Sequence, residues 1–179
     1  MIDGSASRSL GLVSLGLITA AVLAIPAPVR AADPSASLAD LTLRAVSYSH
    51  AAQTSTGTMT LIINSTTTTA GWHVTILASA FAYSGPSNGS NIPAAKFSLT
   101  SASAPAMTSG QAIDSTGGPM VPATSPVGSL DVARTTVQAS PGFGQGTYSQ
   151  ALGVSLAIPA QSASGSYAGT LAVTAAVGP

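Results

Sequence analysis

Beyond Leu38, apolar side chains recur at every second position in short runs, and clusters of Gly, Pro, Ser and Asn separate the runs. A period of two is the signature of a strand that buries one face. Leu41, Leu43 and Ala45 form the first such set, Met59, Leu61 and Ile63 the second, and Trp72, Val74, Ile76 and Ala78 the third. Phe97 and Leu99 lie together within 96–100, and Leu130, Val132 and Val137 mark a fifth stretch. Leu152, Val154, Leu156 and Ile158 alternate until Pro159 stops the ladder, and Tyr167, Leu171, Val173, Ala175 and Val177 alternate again. Only 160–166 separates these last two runs, which predicts a hairpin. The breaker-rich stretches 84–93 and 104–126 read as loops, and neither carries a helical period. Together these elements predict an all-β fold, an antiparallel β-sandwich of roughly seven to nine strands.

The start of the chain follows a different rule. Arg8 precedes an uncharged apolar stretch from Leu10 to Ile25, Pro26 and Pro28 end it, and Val29-Arg30-Ala31 offers small residues for a peptidase. This is the layout of a secretory signal, and the stretch is shorter than the roughly 20 residues a membrane span needs. The expected division is a cleaved signal peptide over 1–31 and a single domain over 32–179. The mature protein would be secreted, with no membrane attachment after cleavage.

Composition narrows the function more than it narrows the fold. Of 179 residues only 6% are charged, five basic against five acidic, and 45% are hydrophobic. Past the leader the cations are Arg44, Lys96 and Arg134, too few to neutralise a phosphate backbone, so nucleic acid is excluded as a partner. Disorder calls for high charge with low hydrophobicity, and coiled coils call for Glu, Lys and Leu; Glu does not occur at all. The chain has no cysteine, so an exported domain must rest on its core, and thiol catalysis and thiolate metal sites are excluded.

No catalytic constellation emerges from what remains. His50 and His73 have no second His or carboxylate at ligand spacing, and alternation beside Trp72 sends His73 to the solvent side. The carboxylates of the mature chain are Asp33, Asp40, Asp114 and Asp131. Asp114 sits in a Ser-Thr-Gly-Gly context that suits a turn better than a calcium site. Gly142-Phe143-Gly144-Gln145-Gly146 has no Lys-Ser/Thr tail and leads into a strand, so it reads as a glycine loop and not a phosphate cradle. Asn64-Ser65-Thr66 and Asn88-Gly89-Ser90 match the short glycosylation pattern, and Thr66–Thr69 reads as a polar turn between strands. The expectation is a non-enzymatic protein with no catalytic residue, no cofactor and no metal. Trp72, in phase with Val74 and Ile76, reads as a core anchor, and the Tyr167 hydroxyl is expected to tie down its neighbouring loop.

Several segments do share a pattern with a known family. Gly71-Trp72-His73-Val74, the loop Gly142-Phe143-Gly144-Gln145-Gly146-Thr147-Tyr148, Val154 to Pro159, and Gly165-Ser166-Tyr167-Ala168-Gly169-Thr170-Leu171 running on to Pro179 resemble the WxL domain. Val74 stands where that family has Leu, and Ala172-Val173-Thr174-Ala175 stands in place of its second Thr-Trp-x-Leu. The resemblance spans Leu38 to Pro179. It implies a surface domain held non-covalently on a Gram-positive-type cell wall, with Trp72, Val74, Tyr148, Tyr167 and Leu171 as the candidate wall-binding residues and cell-wall polymer as the partner. A different class is also open: a self-assembling subunit of a surface fibre, sheath or coat, partnered by copies of itself or other surface proteins, because Tyr167 to Val177 carries no Lys or Pro to guard a sheet edge. An exported glycan-cleaving enzyme is the weakest option, given so few carboxylates.

Overall fold

The computed structural model describes residues 20–22 and 33–178, apart from 68 and 125. Its strands are β1 (Ala20–Val22), β2 (Ser35–Leu43), β3 (Gln53–Ser65), β4 (Trp72–Ala78), β5 (Ala82–Ser84), β6 (Phe97–Ala102), β7 (Ala106–Gly110), β8 (Gly128–Ser129), β9 (Arg134–Ala139), β10 (Gly146–Ile158), β11 (Ser166–Gly169) and β12 (Leu171–Val177). The fold is all-β, and a single turn of 3-10 helix, Ala94–Lys96, is the other element among the described residues. Eleven strands pair antiparallel, more than the roughly seven to nine expected. β1 runs parallel to β11. The rest of the expected leader lies outside the described residues.

One sheet has the order β2-β3-β10-β6-β8, and a second has the order β12-β4-β9. A small third sheet has the order β1-β11-β5. β3 and β10 form the spine, paired from Gln53↔Ile158 to Ser65↔Gly146 without a register shift. Along its other edge β10 pairs β7 over Gly146–Ser149 and β6 over Leu152–Leu156.

Alternation then decides the core. Ile63, Leu61 and Met59 stand opposite Tyr148, Gln150 and Leu152, and all six face inward. From the second sheet Trp72, Val74, Ile76 and Val137 face them, and together they form one cluster with at most 1% exposure at each of these positions. A fully buried aliphatic or aromatic side chain contributes about 1.5–3 kcal/mol, so this cluster carries the fold without disulfides.

Gln150 is the polar exception at the centre. Between Val74↔Val137 and Thr75↔Thr135 the register shifts, leaving Thr136 as the extra residue of a bulge. Its freed carbonyl accepts a bond of 3.0 Å from Gln150 Nε2, which also donates to Ser103 O at 2.9 Å. One buried amide thus joins the two sheets. Gln150→Ala removes the shared donor of both carbonyls and should cost about 2–4 kcal/mol in chemical denaturation.

Three expectations are corrected here. The runs 152–158 and 167–177 do not form a hairpin: β10 pairs β3, β6 and β7, whereas the second run is split at Thr170 between two sheets. Ser79 holds that split, since its Oγ accepts Thr170 N–H at 2.9 Å and its own N–H donates to Thr170 O at 2.9 Å. The stretch 104–126 is not one long loop, because β7 lies within it and Met120 bridges to Gln138. All five β7 residues are exposed, so its sequence has no apolar period to read. Leu130 is buried but Val132 is 52% exposed, so the fifth predicted stretch divides into β8, a turn and β9.

Candidate functional site

Two of the segments that carry the resemblance, Gly71–Val74 and Gly142–Tyr148, meet at one end of the sandwich. Trp72 opens β4 after Gly71, whose φ of 78° turns the chain into the strand and leaves no room for a side chain against Ala139 O. The indole Nε1–H donates to Gly144 O at 3.0 Å, and its ring lies 6.3 Å from that of Tyr148. Gly144 adopts φ 74° and abuts the indole. Gly142 N–H reaches Thr69 O at 2.8 Å, and Gly178 N–H reaches Gly71 O at 2.9 Å. The tryptophan segment, the glycine loop and the end of β12 therefore form one bonded unit.

Gln111 locks the loop from the other side. Its side chain donates from Nε2 to Gly142 O at 3.2 Å and accepts Gln145 N–H at 3.1 Å, and its carbonyl accepts the Tyr148 hydroxyl at 2.7 Å. Burial pushes the Tyr148 phenol up, so it stays a donor. Nearby, Asp114 takes the turn role: the Thr116 hydroxyl, then the Gly117 and Thr116 N–H groups, hold its carboxyl below the usual carboxylate range. Its carboxylate oxygen is thereby committed to the turn. His73 points to the outer face, half-buried, with Nδ1 2.6 Å from Gly178 O, so that nitrogen carries the proton.

The other two candidates lie elsewhere. β4 spans Trp72 to Ala78, and Leu171 pairs with Ala78, about 20 Å from Trp72 at strand rise. Tyr167 packs on Tyr83 with ring centroids 5.3 Å apart, and its hydroxyl donates to Ala163 O at 3.0 Å, tying down the loop as expected. Burial, then the neighbouring Tyr83, push its phenol up, against smaller opposing effects of its own hydrogen bonds. Gly85, Gly89 and Gly165 collar Tyr83, each so close that a Cβ would strike its ring.

The structure thus brings Trp72, Val74 and Tyr148 together and leaves Tyr167 and Leu171 at the far end. Trp72, Val74, Tyr148 and Tyr167 are all 0% exposed, and Leu171 is half-buried against the core. They hold the fold. Sequence reasoning passed over Gln111, which carried no signal beyond being a polar residue in an apparent loop. Among the described residues, no three His, Cys, Asp or Glu side chains gather as metal ligands. No family model, curated protein or solved structure matches the chain.

Proposed function

We propose that this chain is an exported, non-catalytic β-domain that binds bacterial cell-wall polymer at the cell surface. The observation that carries this reading is the Trp72 Nε1–Gly144 O bond. It joins two of the four segments that carry the resemblance, Gly71–Val74 and Gly142–Tyr148, into one folded unit, which supports treating these two as parts of one pattern. Recognition rests on hydroxyls, backbone and shape, since the candidate aromatics are inside and the chain is 6% charged. Such a domain has little long-range attraction for anionic wall polymers. The purified protein is expected to co-sediment with peptidoglycan sacculi, well above an unrelated neutral β-protein; sedimentation no better than that control rejects the reading.

A second reading, self-assembly into a fibre or coat, is favoured by one observation. β12 ends the order β12-β4-β9, and Leu171–Val177 has no charge and no proline to deter a further strand. Filaments by electron microscopy would support it. A monodisperse monomer on size exclusion at high concentration would count against it.

A further inference from the structure

The outer face of the β3–β10 pair has a chemistry that the wall-binding reading leaves unassigned. From Ser55 on, the inward positions of β3 are apolar or small, and the outward positions in its first half are Thr54, Thr56, Thr58 and Thr60, a ladder of one residue type. Thr54, Thr56 and Thr58 are exposed, and Thr60 is half-exposed. Ladder neighbours stand two residues apart, about 6.8 Å along the strand, and β10 lies about 4.8 Å to the side. The outward positions of β10 facing this ladder are Ala151, Gly153, Ser155 and Ala157, so the threonines form a ridge beside a low floor.

The floor is lowest at Gly153, which pairs directly with Thr58. On its other side, Ser101 Oγ and Thr100 Oγ1 reach into the space that a Cβ at 153 would occupy. Thr100 and Ser101 sit where the β6 register shifts against β10, and this shift turns both hydroxyls toward the bare glycine. Three hydroxyls from two strands therefore gather around one glycine, two of them in the space a side chain would take. Neither β3 nor β10 contains a charged residue.

Resting on the wall-binding reading, we infer that this Thr58–Gly153 shelf is the polymer-binding surface, and that its ligand is a neutral, extended polysaccharide lying along β3. Each hydroxyl can donate and accept, which suits sugar hydroxyls and acetamido groups. Threonine is β-branched and stiff, so contact immobilises few rotors. No single hydroxyl bond is strong; affinity comes from repeating them along one polymer, as the ladder repeats along one strand. Within β3 and β10 a polyanion finds no partner charge; the exposed Arg44, whose backbone N–H donates to Thr56 O at 3.1 Å, stands at the margin of the ladder.

The test uses the full chain, with sacculi and insoluble chitin as probes, and native Trp72 emission as the check on folding. Wild type and Thr58→Ser are expected to sediment with both polymers, and Thr58→Glu and Thr56→Glu to lose binding roughly tenfold, since a carboxylate on the ridge disrupts the repeated contacts. If wild type sediments and both natively folded Glu variants sediment equally well, the shelf is not the surface, and wall binding stands on some other face. Binding to teichoic-acid-bearing walls but not to chitin overturns the choice of a neutral ligand. If wild type fails on every wall preparation, the wall-binding reading itself falls and takes the shelf with it.

Discussion

Trp72→Ala should cost about 3–5 kcal/mol in folding stability, the range for removing a large aromatic from a packed core. The indole is the largest fully buried side chain, touches Tyr148, and satisfies Gly144 O. Single domains are stable by about 5–15 kcal/mol in total, so the loss is a large fraction of the whole. Urea denaturation followed by circular dichroism reads the loss. Trp72→Phe separates packing from bonding: most of the ring volume stays, but Gly144 O loses its donor, at about 1–3 kcal/mol. Because the indole is inside, folded Trp72→Phe should still sediment with sacculi. Loss of sedimentation by a folded Trp72→Phe protein would show that the indole itself contacts polymer.

Gly144→Ala should be the second severe change. Its φ of 74° lies where side chains are strained, and a Cβ would stand 2.6 Å from Ala139 Cβ and 2.8 Å from Trp72 Nε1. Strain of this kind costs about 1–3 kcal/mol, and a similar amount arises from overpacking a filled core. Gly142→Ala is the control. Its φ of 84° is also positive, but a Cβ there would meet nothing within 4 Å, so only the backbone strain remains. Thermal unfolding should rank the wild type first, Gly142→Ala second and Gly144→Ala last. Equal losses for the two variants would mean that contact with the indole contributes nothing.

Both changes act on residues whose burial follows from alternation alone. Met59, Leu61 and Ile63, then Trp72, Val74 and Ile76, then Leu152 to Ile158 are placed by a period of two, and the structure buries every apolar member of these sets. The pattern fails where its physical basis is missing. β7 has no buried side chain, so it has no period and reads as loop. The first half of β3 hides Ser55 inside, where a hydroxyl carries no apolar signal.

Pairing is harder to read than strand position. Alternation gives each strand a face but no neighbour, so 152–158 and 167–177 look like a hairpin because they are adjacent in sequence. What separates them is one serine, Ser79, bonded on both sides of Thr170 from ninety-odd residues away. The candidate site divides in the same manner. The likeness to the WxL domain picks out Trp72, Tyr148 and Tyr167, and the structure gives each a place in the core. The Thr54 to Thr60 ladder is visible in the sequence as every second letter, but only the register against Gly153 and the shift in β6 gather three hydroxyls at one point.

The most direct measurement is a binding isotherm of the purified protein on peptidoglycan sacculi, taken at low salt and again at 1 M salt, where the screening length falls to about 3 Å. Recognition by hydroxyls and shape requires saturable binding with the same midpoint in both conditions. Binding that disappears in high salt, or that never saturates above a neutral β-protein control, contradicts it.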